Sequence, residues 1–251
     1  MLTSQRKAHL LAVLKREGEI VAKALSRELG LSEDTIRRDL RELAAQGKLQ
    51  RVHGGALPAS PAVADFAGRQ QLSSAAKTAI GKAAAGMIRP GQVAFLDGGT
   101  TTEAMTRQLP SDLKAMVVTH SPSVAVALVG HPHIEVVLIG GRLFKHSIVT
   151  VGADAIEAIG RVRADIYFMG VTGVHPEVGL TTGDAEEAAV KRTLVRAAAE
   201  TVVLASGEKL GAASPFVICP VTDIACLVTE RGLPKSATDP YSALGVTMIR
   251  A

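Results

Sequence analysis

The chain has 251 residues, 47% hydrophobic and only 3% aromatic, without a tryptophan. That is enough apolar material for a small domain plus one of ordinary size, and too few aromatic platforms for a protein that reads single-stranded bases by stacking. The formal net charge of +4 lies wholly at the amino end: residues 1–57 hold 11 Lys and Arg against 7 Asp and Glu, and the remainder holds 17 of each, so a polyanion is the natural partner of the first segment alone.

In chain order, the first expected helix covers residues 4–16 with Leu10, Leu11 and Leu14 turned inward. A second covers 22–29, Gly30 supplies the turn, and a third covers 32–46. Ser32 is placed to cap that third helix, with Glu33 and Asp34 in its first turn. Along it Ile36, Leu40 and Leu43 recur at spacings of four and three, an apolar stripe for the neighbouring helices. The opposite face carries Arg37, Arg38 and Arg41, whose guanidinium groups suit phosphates or guanine edges in a major groove. Glu33, Asp34 and Asp39 are unusual on such a surface; a sequence reader tolerates them because they repel misaligned backbone or accept from cytosine N4. Residues 48–55, KLQRVHGG, read as a basic wing of two short strands or a strand and its returning loop. The plain alternative is a solvated basic face on an ordinary three-helix unit.

Residues 58–64, PASPAVA, read as a linker, and 66–74 as a bridging turn or the lead-in to a helix over 77–87. Beyond Pro90-Gly91, strands are expected at 92–96, 115–119, 134–139, 166–170, 201–205, 225–229 and 246–249, with helices at 101–108, 122–129, 153–159 and 185–199. This alternation predicts an open, mainly parallel sheet covered on both faces, with ligands at the carboxyl ends of its strands. The apolar runs are too short to span a bilayer. Cys219 and Cys226 stand apart from any metal-ligand pattern, and with no secretory leader a reducing cytoplasm is expected. No cofactor or metal motif is present.

Several polar segments follow expected strands. Asp97, Gly98, Gly99, Thr100, Thr101 and Thr102 form the strongest, reading either as an anion-binding turn or as a capping box of Thr100 with Glu103. His120 points toward the cleft or into a packed joint. Arg142 is a phosphate clamp or part of a solvated loop. Asp184, with Glu187, signals a helix start, Lys191 lies within that helix, and Lys209 is the best single candidate for a ligand-facing ammonium. Asp97, Asp184, Glu187, His120 and Lys209 would also suffice for proton transfer on a sugar phosphate, so a phosphosugar isomerase-like enzyme with an accessory helical domain is the alternative.

The runs TIRRDL (35–40) and RVHGGA (51–56), then DGGTTT (97–102), GLTT (179–182) and EEAAVKR (186–192), make the chain resemble the DeoR-type family of bacterial transcriptional regulators over essentially its whole length. The resemblance implies an α/β protein: an N-terminal winged helix-turn-helix followed by a Rossmann-like, mainly parallel sheet domain related to phosphosugar isomerases. It also implies a cytoplasmic homo-oligomer that binds a double-stranded DNA operator, a repressor of sugar or nucleoside catabolic genes controlled by a phosphorylated sugar or related anionic metabolite. The expected division is a DNA-binding domain at 1–57, a linker and bridging segment at 58–74 and an effector-sensing domain at 75–251. Duplex contacts are expected from Ser32, Glu33, Thr35, Arg37, Arg38, Arg41, Lys48, Arg51 and His53, and effector contacts from Asp97 to Thr102, His120, Arg142, Asp184, Lys191 and Lys209. The chain departs from the family pattern at His120, where asparagine is common, and at Thr172 and Ser206, each standing for an aspartate. The loss of two carboxylates weakens the case for isomerase turnover.

Overall fold

The computed structural model describes residues 2–60 and 66–251. At the amino end α1 (Thr3–Glu17) leads through β1 (Ile20–Val21) into α2 (Ala22–Leu29) and α3 (Glu33–Ala45), and the chain returns as β2 (Leu49–Val52) and β3 (Gly55–Pro58). The stripe on α3 is buried as its spacing predicts: Ile36, Leu40 and Leu43 pack with Leu10, Val13 and Leu14 of α1 and with Leu25 of α2. Leu11, expected inside, is only partly buried, because the inward arc of α1 passes through Val13 instead. Ser32 caps α3, its hydroxyl accepting from Thr35 N at 3.3 Å.

The wing is a hairpin, and its strand β3 also pairs with β1, a two-residue strand the sequence did not suggest. Gly55 is obligatory at this crossing, since a Cβ there would lie 1.7 Å from the carbonyl oxygen of Ile20. Pro58, assigned to the linker, is the last residue of β3. Residues 61–64 of that linker lie outside the described residues.

The second part begins with α4 (Phe66–Gln71) and α5 (Ser74–Ala85), so the ambiguous stretch before 74 is helical in part. It continues through β4 (Val93–Leu96), α6 (Thr100–Thr106), β5 (Ala115–Thr119), α7 (Pro122–Leu128), β6 (Ile134–Leu138), a hairpin of β7 (Arg142–Phe144) and β8 (Val149–Val151), and α8 (Ala153–Gly160). Then follow β9 (Ala164–Gly170), β10 (Gly173–His175), β11 (Gly179–Thr182), α9 (Ala185–Ala197), β12 (Ala198–Leu204), β13 (Phe216–Cys219), β14 (Cys226–Thr229), α10 (Lys235–Ala243) and β15 (Thr247–Arg250).

All seven expected strands join one sheet in the order β15-β14-β12-β9-β4-β5-β6, every neighbouring pair parallel. Its residues alternate between two apolar layers. Ala94, Leu96, Ile166 and Phe168 face α5, α6 and α7, whereas Phe95, Tyr167 and Met169 face α8, α9 and α10. The hairpin β7–β8, the antiparallel sheet β10-β11-β13 and α10 were not anticipated; the first two are built from short, half-polar segments without a sustained period.

From β4 the chain winds outward through β5 and β6, and from β9 it winds the other way through β12, β14 and β15. The strand order therefore reverses between β4 and β9, which opens a crevice beyond their carboxyl ends. Asp97 and Gly98 leave one strand there, and Val171 and Thr172 leave the other.

Candidate functional site

Two surfaces carry the chemistry. On the amino-terminal module, Arg37, Arg38 and Arg41 are exposed along α3, and Arg51 and His53 are exposed on the wing. Arg37 and Arg41 meet Arg51 and His53 around one concavity of about 790 Å³. Arg38 and Lys48 are exposed but lie outside its lining. Arg37 also holds Glu33 at 2.7 Å, which neutralises one of the acids on this face. Thr35 is half-buried and shares a 2.9 Å hydrogen bond with Ser32, so both hydroxyls are already engaged at the helix start.

Asp39 is corrected outright. It is buried and forms a bidentate pair with Arg6 of α1, Arg6 Nη2 reaching Oδ1 at 3.1 Å, so it locks two helices together and faces no ligand. Lys7 likewise pairs with Glu42.

The second surface is a cleft of about 570 Å³ at the strand-order reversal. The turn Gly98 to Thr102 forms one wall, and Gly170 to Thr172 another. Gly99 adopts φ +111°, and a Cβ on it would meet nothing within 4 Å, so the conformation rather than crowding demands glycine there. The capping box expected at Thr100 is not formed: Gly99 is the N-cap, without a side-chain bond, and Glu103 turns to Arg107 and to Gln70 Nε2 at 3.1 Å. Thr102 Oγ1 is buried on this wall without a hydrogen-bond partner among the described residues.

Asp97 lies beneath the turn, fully buried. Oδ1 accepts from Gly98 N and meets His120 Nε2, each at 2.8 Å; Oδ2 accepts from Gly170 N at 2.8 Å and from Lys191 Nζ. Burial alone would raise its pKa, but the Lys191 charge and the His120 hydrogen bond prevail and hold it at about 2. Burial would likewise strip Lys191 of its proton, yet Asp97 and Glu187 raise its pKa. His120 Nδ1 meets the Thr150 carbonyl at 2.9 Å. This settles its alternative: His120 sits in a packed joint, 1% exposed, and does not line the cleft.

The ammonium of Lys209 is different. It is nine-tenths buried, lines the cleft, and has no hydrogen bond or ion pair among the described residues. Burial lowers its pKa to about 8; Glu208 counteracts this, and the charges of Lys77, Arg69 and Lys191 add to it. Lys77 and Arg69 line the same cleft, neither expected from sequence, since helix-borne cations distant in the chain give no local signal. Arg69 reaches the His146 carbonyl at 2.8 Å. Two carboxylates complete the lining: Glu208 accepts from Ser206 and Ser73, and Glu187 accepts from Thr182 and Ser147.

The remaining expected effector contacts lie elsewhere. Arg142 is exposed on β7 and pairs with Glu186 outside the cleft. Asp184 caps α9, accepting from Glu186 N and Glu187 N at 3.0 and 2.9 Å. The cleft thus unites Gly98 to Thr102, Lys191 and Lys209, with Asp97 as the buried anchor below.

With this geometry in view, residues 6–61 match the family described as the DeoR-like helix-turn-helix domain, and residues 72–231 match the DeoR C terminal sensor domain. The chain is 33% identical to the HTH-type transcriptional regulator GlpR of Haloferax volcanii, covering 99% of this chain and 98% of that one. It is 32% identical to the HTH-type transcriptional repressor GlcR of Bacillus subtilis, over 94% and 92%. Among solved structures, ribose 5-phosphate isomerase A of Methanocaldococcus jannaschii overlaps 53% of this chain and 52% of its own at 19% identity, with a TM-score of 0.40. A winged module with exposed arginines, joined to a parallel-sheet sensor and matched by relatives along nearly its whole length, makes the chain a member of the DeoR family of DNA-binding transcriptional regulators.

Proposed function

We propose that this regulator is a repressor of genes for sugar or nucleoside catabolism, that its sensor cleft binds a phosphorylated sugar or related anionic metabolite, and that it acts without turning that metabolite over. The observation that carries the reading is Lys209: the residue is nine-tenths buried and its ammonium has no hydrogen-bond or ion-pair partner among the described residues, a costly arrangement that an anion entering the cleft beside it relieves. Around the cleft, Arg69, Lys77, Lys191 and Lys209 oppose Glu187, Glu208 and the buried Asp97 that holds Lys191, an excess of positive charge that a phosphate group offsets. The two carboxylates are suited to sugar hydroxyls.

The isomerase alternative fits less well. Two of its acid–base candidates, Asp97 and His120, are buried beneath the cleft, tied to each other and to backbone groups, and a carboxylate held at about 2 is a poor base near neutrality. Relatives along the whole chain are named regulators.

On the DNA side, we assign phosphate and base contacts to Arg37, Arg38, Arg41, Lys48, Arg51 and His53, with Ser32, Glu33 and Thr35 at the start of the recognition helix. Residues 1–57 serve as the DNA-binding domain and those from 75 onward as the sensor, with a connecting segment between. One module touches too few bases for high specificity, so the working form is a homo-oligomer that sets the spacing of two modules on an operator. No helix among the described residues is long and apolar enough to cross a membrane, in keeping with a cytoplasmic regulator.

Selection of genomic fragments by the purified chain, followed by a mobility assay at fixed salt, tests this reading. Arg37→Ala and Arg38→Ala should each weaken the selected duplex by about tenfold. Unchanged binding by both would remove the recognition face assigned here.

A further inference from the structure

Thr172, directly after β9, borders two cavities at once. One is the sensor cleft. The other, of about 990 Å³, lies between the sensor and the DNA-binding module, where Ala44 of α3 and Leu49 and Gln50 of the wing face Phe144, His146 and Pro215. The two cavities also share Arg69, Ser147 and Glu187, so one wall separates a ligand from the module that holds DNA.

The bonds of Thr172 run in both directions from that wall. Its backbone carbonyl accepts from the hydroxyl of Ser60, two residues beyond the end of β3. Beside that bond, Ala213 N donates to the Pro58 carbonyl at 3.3 Å, and Ala59 bridges Ala213 in parallel. The Thr172 hydroxyl reaches the Thr181 carbonyl at 3.0 Å and Ser214 Oγ at 2.7 Å, and Thr172 N donates to the same Thr181 carbonyl at 3.1 Å. Thr172 is therefore the root of the hairpin β10–β11, and His175, Glu177 and Val178 at the far turn of that hairpin face Glu19 to Val21 and the wing turn across one cavity.

We propose that Thr172 transmits occupancy of the cleft to the wing, through Ser60 on one side and the hairpin β10–β11 on the other. This rests on reading the cleft as an anion site. The mechanism is competition for one proton. A threonine hydroxyl has a single proton, for which the Thr181 carbonyl and Ser214 Oγ are the two acceptors within reach inside the sensor. A ligand oxygen that takes this donor releases a bond at the root of the hairpin, beside the Ser60 bond and the Ala213 bond that join the sensor to the end of the wing. The ligand then favours one relative arrangement of the two domains by the difference between the two sets of bonds.

Amide hydrogen exchange of the full chain, with and without saturating inorganic phosphate or glucose 6-phosphate, reads this directly. In the wild type, one of these probes should change exchange in β2 and β3 by about fivefold or more, the lower end of ordinary coupling between sites. Thr172→Val keeps the shape without the hydroxyl, and Ser60→Ala removes the bond from outside the cleft lining. In Ser60→Ala calorimetry should show probe affinity within about threefold of wild type; in Thr172→Val, which removes a ligand contact, binding should be weaker; and in both the exchange response in β2 and β3 disappears. Should Thr172→Val lose the probe altogether, Ser60→Ala decides. A response retained in Ser60→Ala overturns the proposal, as does binding by wild type with no response in the wing, and either result leaves the anion site standing. Failure of both probes to bind the wild type overturns the anion site and the proposal together.

Discussion

Lys209 shows how a single residue can trade stability for function. Its pKa in the folded chain, about 8, lies below the ordinary lysine value of 10.5, because burial and the neighbouring cations oppose its charge. The charged form is thus penalised in the folded state at every pH below about 8, and the penalty fades as pH rises through 8 toward 10.5. Lys209→Met should therefore raise the stability of the ligand-free protein at pH 7 by roughly 1–3 kcal/mol while abolishing phosphate binding. Melting curves at pH 7 and pH 10 check this: the gap between variant and wild type must shrink at the higher pH, and a constant gap would mean that packing, not charge, sets the difference. Asp97 behaves in the opposite sense. Its folded pKa is depressed, so its contribution is present above the ordinary carboxylate range and is lost as pH falls toward 2. Asp97→Asn leaves Lys191 buried with the Gly170 carbonyl and the more distant Glu187 carboxylate and should destabilise by about 3–5 kcal/mol, measurable by denaturant titration at neutral pH.

At the scale of elements, α3 answers to two constraints on opposite faces. Its inward stripe is fully engaged with α1 and α2, and Leu40→Ala should cost the module about 2–5 kcal/mol in denaturant unfolding, with duplex affinity lost in proportion to the unfolded fraction. Its outward arginines contribute nothing comparable to stability, since Arg37 pairs with Glu33 at the exposed surface. The stripe was legible because a period of 3.6 residues shows in any amphipathic helix. Asp39 was misread for the same reason: it lies among polar neighbours in the sequence, and only its pairing with Arg6, 33 residues away, draws it inside. The seven core strands were legible because strands buried on both faces read as short apolar runs. The hairpin β10–β11 was not, because GVH and GLTT are too short and too mixed in polarity to carry a period of two.

For the whole molecule, regulation depends on geometry between parts. The module meets the sensor through Ser60 and Ala59 and faces the far turn of β10–β11 across a cavity, which leaves room for a second arrangement. If two modules are held by an oligomer, the selected DNA sites should contain paired half-sites whose centres lie about one helical turn, or a whole number of turns, apart. Footprinting of the recovered fragments would show this, and protection confined to a single half-site would contradict the oligomeric arrangement.

By itself the sequence determined the basic winged module, the arginine face of α3, the alternation that builds a parallel sheet, and the glycine turn after β4. Each is a local pattern, set by periodicity, capping or backbone freedom within a few residues. The tertiary structure alone decided which charges meet. Arg69, Lys77 and Lys209 reach one cleft from three separate segments, and Lys191 finds Asp97 across 94 residues, because strand order, not spacing in the chain, determines what lies beside the reversal between β4 and β9. It also decided that Lys191 is paired while Lys209 has no ion-pair partner among the described residues, since that depends on how the assembled layers place each group.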